Sequence, residues 1–189
     1  MKIRTEPLLG GAALSFVILL VINLLSTFIS MNYMQQVMTS VLASMSDPNA
    51  PLPTGFGSPM LSLIGCLACI APLAAGIGAG VVYARQYAKL EPITGSLISG
   101  GAASGAIGFF LSGLASGIVA AFMMIPLMNQ IAAMDPSLAG SLGTMMGTGV
   151  FSGIIGSICG SVLYALFGAI LGAIGAAIGT PKPAKPAVV

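Results

Sequence analysis

The chain has 189 residues, of which 57% are hydrophobic and 5% are charged, with a formal net charge of +2. Soluble domains carry about 25% charged residues, so this composition excludes a water-soluble enzyme and indicates a protein that lies in a membrane. Histidine and tryptophan are absent, whereas glycine, with 26 residues, and methionine, with 12, are abundant. Any account of the protein has to explain these two excesses.

Four apolar stretches are long enough to cross a hydrocarbon core of about 30 Å, which takes roughly 20 helical residues. In chain order they cover about residues 8–30, 60–83, 94–125 and 148–178. Each is predicted to be a helix, because lipid offers no hydrogen-bond partner to an unpaired backbone amide. The sequence therefore predicts an all-α integral membrane protein, a bundle of four transmembrane helices in a single membrane domain that covers residues 1–189.

The positions of the charges predict the orientation of these spans. Connections that would face the cytoplasm usually carry the Lys and Arg residues. The connection between the first and second spans contains Asp47, and that between the third and fourth contains Asp135; neither connection contains Lys or Arg. We therefore expect both termini and the middle connection to be cytoplasmic, the two Asp-containing loops to be outside, and the membrane to be the plasma (inner) membrane. The cations lie before the first span, between the second and third, and after the fourth: Lys2, Arg4, Arg85, Lys89, Lys182 and Lys185.

The beginning of the chain is similar to a secretory signal, with a basic start and an apolar core. We expect it to be retained as a signal anchor, because the apolar core is long and no small-x-small cleavage site follows it. Residues 181–189, rich in Pro and Lys, are predicted to form a cytoplasmic tail.

The two halves of the chain align as a weak tandem repeat of helical hairpins, about 8–90 and 94–180. The first and third spans align at one constant offset, which pairs Gly11 with Gly105. The second and fourth spans align at another constant offset, which pairs Cys69 with Cys159. The alternative is chance matching between two apolar, glycine-rich segments. A hairpin enters and leaves on the same side, so the copies are expected to be parallel repeats, unlike the inverted repeats of many transporters.

Small residues recur every four positions along the third and fourth spans. This spacing lets two helix backbones approach closely, which gains van der Waals contacts and weak Cα–H···O bonds where lipid supplies no hydrophobic drive. One interpretation is that the rows only hold this bundle together. They cover more than one helix face, however, which predicts further neighbours, either copies of the chain or other subunits. The glycine zipper is expected to comprise Gly101, Gly105, Gly108, Gly113, Gly117, Gly149, Gly153, Gly156, Gly160, Gly168 and Gly172.

The methionines other than Met1 lie within residues 31–60 and 123–146, at or beyond the predicted outer boundary of the membrane. Their helical spacing predicts helical extensions on the outer side, which the pairs Asp47-Pro48 and Asp135-Pro136 would end. Methionine fills irregular apolar contacts well, so we interpret the stripe as a contact surface for a partner. This outer stripe consists of Met31, Met34, Met38, Met45, Met124, Met128 and Met134.

A second interpretation of the outer stripe is Cu(I) handling, because thioethers are soft ligands. Its ligands would be Met31, Met34, Met124 and Met128. The lack of histidine, and of any charged residue within a span, argues against it, so no metal site is predicted.

Few residues in the chain suggest chemistry. Cys66 and Cys69 form a C-x-x-C motif, but a redox relay would need further cysteines in an outer loop, and the third, Cys159, aligns with Cys69 in the repeat. We interpret all three as small packing residues. Without histidine, paired carboxylates or a phosphate-binding loop, no catalytic residue, cofactor or nucleic-acid partner is predicted.

Two further features of the spans concern hydrogen bonding. Pro72 interrupts the second helix and frees the backbone carbonyl of Ala68. Polar side chains of the first span are expected to form hydrogen bonds between helices. These are Asn23, Ser26, Thr27 and Ser30.

The leading hypothesis from the sequence is a non-enzymatic scaffold or accessory subunit that packs into a larger membrane complex or a homo-oligomer. Its partners would be the lipid bilayer and other membrane subunits or copies of itself. The alternative is a small oligomeric channel or permease whose pore forms between protomers, since tightly packed helices leave little room for a water path within one chain. Cu(I) handling is the third hypothesis.

Overall fold

The computed structural model describes residues 5–46, 59–88, 96–134 and 139–180, and the surroundings of side chains for residues 5–40, 65–88, 96–126, 129 and 152–180 apart from Met38 and Met124. These residues form four α-helices. They are α1 (Thr5–Ser46), α2 (Pro59–Ala88), α3 (Ser96–Met134) and α4 (Ala139–Gly179). The predicted all-helical architecture is confirmed.

Each helix contains a segment that is long and apolar enough to cross a membrane, as the sequence predicts. The four segments are Thr5–Val37, Gly65–Ala88, Ser96–Met123 and Ser152–Gly179. The helices continue beyond these segments, and α4 begins nine residues before the predicted span, at Ala139 rather than at 148. The apolar character of a sequence indicates only which residues could lie in lipid. The helix itself can extend beyond them into more polar sequence, so its bounds differ from those of the apolar segment.

Two of the helix ends have a clear cause in the sequence. Both α1 and α3 end directly before an Asp-Pro pair, α1 at Ser46 and α3 at Met134. A proline ring disfavours the α conformation for the residue that precedes it. The aspartate of each pair is therefore a poor helical residue, and the helix ends before it.

The helices form one bundle in which α1 contacts α2 and α3, and α4 contacts α3 and α2. The most extensive contact is between α3 and α4, whereas the described parts of α1 and α4 have little direct contact. Sequential helices are antiparallel, so the bundle has two ends. We call one the terminal end and the other, where α1–α2 and α3–α4 are connected, the hairpin end. At the terminal end lie Thr5, Ala88, Ser96 and Gly179.

The packed core lies towards the terminal end. One cluster contains Tyr83, Tyr87 and Leu97, with the two tyrosine rings stacked at 5.7 Å between centroids. A second cluster is centred on Leu19 and Phe109, with Phe109 4.7 Å from the ring of Tyr164. These contacts stabilise the bundle by dense van der Waals packing.

Burial changes abruptly halfway along the bundle. Fully buried side chains end at Leu19 in α1 and, with the exception of Ala121, at Ser112 in α3, and they begin at Ala71 in α2 and at Ser161 in α4. Residues 65–70 of α2 and 152–160 of α4 are exposed, except for one half-buried residue in α4. Among the residues whose side chains the structure describes, those of the terminal half are therefore well packed and those of the hairpin half are more exposed.

Pro72 lies at the point in α2 where the exposed residues end and the buried ones begin. It is inside the helix, one residue after Ala71, where burial begins. Proline cannot donate the backbone hydrogen bond to the carbonyl four residues earlier, here that of Ala68. The helix is thus weakest at the boundary between its packed and exposed parts.

Candidate functional site

The glycines of the terminal half lie where helix backbones approach each other most closely. A β-carbon at Gly105 would overlap the carbonyl oxygen of Gly168, and one at Gly101 would lie 2.7 Å from the carbonyl oxygen of Gly172. A β-carbon at Gly168 would lie 2.7 Å from the carbonyl oxygen of Gly105. Because backbone atoms cannot move aside as a side chain can, any larger residue here would force α3 and α4 apart.

Three more predicted zipper glycines lie against serines. A β-carbon built at Gly108 would overlap the hydroxyl oxygen of Ser15 in α1 and lie 2.8 Å from the carbonyl oxygen of Ala12. β-Carbons built at Gly113 and Gly117 would lie 2.9 and 2.8 Å from the hydroxyl oxygens of Ser161 and Ser157, respectively. These contacts connect α3 to α1 on one side and to α4 on the other.

The glycines in the first part of α4 have different surroundings. Nothing lies within 4 Å of a β-carbon built at Gly153, Gly156 or Gly160, and the same holds for Gly65 in α2. Gly149 is also in α4, but its surroundings are outside the described residues. The described part of the chain thus contains glycines of both kinds, packed along α3 and in the terminal half of α4, and open in the first parts of α2 and α4.

A cleft of about 430 Å³ lies in the hairpin half, between α1, α3 and α4. Each helix contributes residues at helical spacing, most of them small or hydroxyl-bearing, and each group lies within a segment that could cross a membrane. Tight helix packing predicted little room of this kind within one chain, yet the space is present and no described residue of α2 lines it. The lining residues are Asn23, Ser26, Thr27, Gly113, Ser116, Gly117, Ala120, Ser157, Gly160, Ser161 and Tyr164.

The hydroxyl groups of the cleft donate to carbonyl oxygens of their own helices. Thr27 donates to the carbonyl of Asn23 at 2.8 Å, and Ser116 donates to that of Ser112 at 2.6 Å. Ser157 donates to the carbonyl of Ile154 at 2.8 Å. The predicted hydrogen bonds between helices are thus replaced, for Thr27, by a bond within α1. Ser30, the fourth polar residue of this part of α1, is exposed and does not line the cleft.

The electrostatic character of the cleft is neutral but polar. None of its described lining residues carries a formal charge, and the carboxamide of Asn23 forms no hydrogen bond within the described part of the chain. At the terminal side the cleft is bounded by the second core cluster, against which Tyr164 packs. The cleft can therefore accept and donate hydrogen bonds but has no charge with which to balance an ion.

The outer stripe and the cysteines lie apart from this cleft as far as the structure describes them. Met31 is half-buried and Met34 is exposed, both in α1. The three cysteine side chains are exposed and reduced. The side chains of the other outer-stripe residues lie outside the described residues: Met38, Met45, Met124, Met128 and Met134.

Sequence reasoning singled out the polar part of α1 but not the residues of α3 and α4 that face it. Ser116, Ser157 and Tyr164 belong to small or apolar rows that resemble packing surfaces. Their signal is the spacing i, i+3, i+4 and i+7, which each of these two helices repeats along the cleft. No protein-family model, curated protein or solved structure matches the chain significantly.

Proposed function

We propose that the chain is a non-enzymatic scaffold or accessory subunit, which packs into a larger membrane complex or a homo-oligomer through its hairpin half. The observation that carries this proposal is the row of open glycines in α4. Gly153, Gly156 and Gly160 lie at the spacing of a helix-packing face, yet no described atom lies within 4 Å of a β-carbon built at any of them; Gly160 also lines the cleft.

An open glycine row is costly unless another helix covers it. In a helix glycine is less favourable than alanine by about 1 kcal/mol, because it loses more backbone freedom. In a membrane, small residues compensate for this cost by allowing close approach of two helices. Towards the terminal end of α4, Gly168 and Gly172 have that compensation from α3. A helix from another chain would supply it at the open row.

The first half of α2 adds a second exposed surface of small residues. Gly65, Ala68 and Cys69 are exposed, and a β-carbon at Gly65 would meet nothing within 4 Å. Two such surfaces on one half of the molecule favour contact with more than one neighbouring helix. This is the arrangement expected of a subunit within an assembly.

The proposal includes the predicted glycine zipper, the tandem repeat and the orientation with cytoplasmic termini in the plasma membrane.

Two equivalent contacts support the repeat. A β-carbon at Gly11 would lie 2.7 Å from the carbonyl oxygen of Ala79, and Gly105, its counterpart, adjoins the carbonyl of Gly168. The repeat pairs Ala79 with Ala169, one residue from Gly168, so each hairpin closes at nearly the same level.

Native mass spectrometry from mild detergent tests the proposal. The wild-type chain is expected to carry stoichiometric foreign subunits or further copies of itself. A β-carbon at Gly156 would meet nothing within 4 Å among the described residues, so Gly156→Leu should remove them without disturbing the bundle. Ala177→Leu, an exposed small-to-large change near the other end of α4, should not. A wild-type monomer without partners, or an assembly that Gly156→Leu leaves intact, would contradict the proposal.

The cleft favours a second candidate, the small oligomeric channel or permease. Its polar lining suits a solute better than hydrocarbon, although the cluster around Leu19 and Phe109 closes it towards the terminal end. Conduction of solutes by a homo-oligomer in liposomes would favour this candidate over the scaffold.

A further inference from the structure

We infer that the cleft between α1, α3 and α4 binds an uncharged, hydroxyl-rich group of the glycerol or sugar type. The group could come from a free polyol or from the headgroup of a neutral lipid. This inference does not rest on the scaffold proposal, because the cleft is formed by one chain. Its volume, about 430 Å³, is within the range of ordinary small-molecule sites, roughly 300–1,000 Å³.

The hydrogen bonds of the lining determine what the occupant must offer. The hydroxyls of Thr27, Ser116 and Ser157 already donate to carbonyls of their own helices. What remains on each of these oxygens is capacity to accept a hydrogen bond. An occupant that satisfies them must therefore donate several hydrogen bonds, as a group with neighbouring hydroxyls does.

Asn23 adds a group that both donates and accepts. Its carboxamide lines the cleft, is half-buried in a segment that could cross a membrane, and forms no hydrogen bond within the described residues. Hydrocarbon cannot satisfy it, and an unsatisfied polar group in lipid costs several kcal/mol. A hydroxyl that donates to the amide oxygen or accepts from the amide nitrogen would remove this cost.

The charge of the lining excludes ionic occupants. None of the described lining residues is charged, so a phosphate or an ammonium group would lose its hydration without meeting an opposite charge. Of the polar groups that are common in membranes, this leaves the neutral ones. Glycerol and sugar hydroxyls combine neutrality with the required donors.

Binding of defined probes to the full-length chain in detergent tests this inference. The probes are dioleoylglycerol, free glycerol, and dioleoyl phosphatidylglycerol, which carries a glycerol headgroup beside a charged phosphate. We expect dioleoylglycerol, by native mass spectrometry, to bind at one site and more tightly than phosphatidylglycerol. Displacement by millimolar free glycerol would assign the site to free polyols as well, and its failure would assign the site to the lipid headgroup. Equal or tighter binding of phosphatidylglycerol would overturn the argument from charge.

Variants identify the site. Asn23→Leu is expected to weaken dioleoylglycerol binding roughly tenfold, the effect of losing one or two buried hydrogen bonds. Asn32→Leu is the matched control, because Asn32 is exposed on α1 outside the cleft and donates to the carbonyl of Phe28 at 3.0 Å. It should change the affinity less than twofold. If Asn23→Leu does not fold, Ser116→Ala removes a cleft hydroxyl with little change in volume. Absence of binding by the wild-type chain, or equal binding by the cleft variants and the control, would overturn the inference.

Discussion

Substitution of Gly168 by alanine measures how tightly α3 and α4 are packed. The added β-carbon would lie 2.6 Å from Cγ of Phe109 and 2.7 Å from the carbonyl oxygen of Gly105, against ordinary contacts of at least 3.4 Å. The ring of Phe109 is fully buried and packs on Tyr164, so it has no free space into which to move. The two helices must therefore separate by about 0.8 Å at this level, a gap that loses a quarter to a half of each affected van der Waals contact.

The expected magnitude follows from two opposing effects. Overpacking a tight contact costs up to about 3 kcal/mol. Alanine recovers about 1 kcal/mol of intrinsic helix stability relative to glycine. We expect Gly168→Ala to lower the free energy of unfolding by about 2 kcal/mol, or roughly 30-fold in the folding equilibrium constant.

Titration with dodecyl sulfate in mixed micelles, followed by circular dichroism, measures this free energy. Gly156→Ala is the matched control, since it lies in the same helix and its β-carbon would meet nothing within 4 Å. In dilute micelles it should be neutral or stabilise the monomer by up to about 1 kcal/mol. Equal destabilisation by both variants, or no effect of Gly168→Ala, would refute the reasoning that separates packed from open glycines.

Further predictions concern single hydroxyls, orientation and metal binding. Tyr87→Phe removes a 2.9 Å hydrogen bond to Ser96 and should lower the free energy of unfolding by about 1 kcal/mol in the same titration. Tyr83→Phe removes a buried hydroxyl with no partner among the described residues and should leave that free energy unchanged. A larger loss for Tyr83→Phe than for Tyr87→Phe would contradict this assignment. A Ser46→Cys variant without the native cysteines should react with an impermeant maleimide on intact cells, and labelling only after lysis would reverse the proposed orientation. Replacing the outer-stripe methionines with leucine should leave the affinity for Cu(I) unchanged in competition with a chromophoric chelator, and a large loss would establish a thioether site. These residues are Met31, Met34, Met124 and Met128.

The helices could be predicted because their cause is local. A run of apolar residues must be helical in lipid, and an Asp-Pro pair favours the end of a helix through local steric effects. The spans and the ends of α1 and α3 follow from these two rules. The start of α4 does not, because the apolar window says nothing about helical turns beyond the membrane.

The surroundings of the glycines could not be predicted, because spacing does not reveal which helix face is covered. Gly101 and Gly105 lie at the same four-residue spacing as Gly156 and Gly160 in α4, yet the first pair is packed and the second is open. The open row lies in the half of the bundle where residues 65–70 of α2 are exposed as well. Pro72 indicates a weak point in that helix, but not the direction in which the chain continues.

The cleft shows the same limit for polar residues. Asn23 and Thr27 are visible in the sequence as a polar patch, and hydrogen bonding between helices is the usual role of such a patch. Recognising a cleft requires knowing that Ser116 and Ser157 face the same space. That juxtaposition depends on the rotation of three helices about their axes, which no local pattern determines.

The unequal contacts between helices have a consequence for biogenesis. The first hairpin leaves the ribosome before the second, yet the most extensive contact of the bundle is formed between α3 and α4. Until these two helices are inserted, the surfaces of α1 around Ala12 and of α2 around Gly80 lack the neighbours that they contact in the finished bundle. The N-terminal hairpin therefore lacks the contacts that cover these two surfaces until translation of the second hairpin is complete.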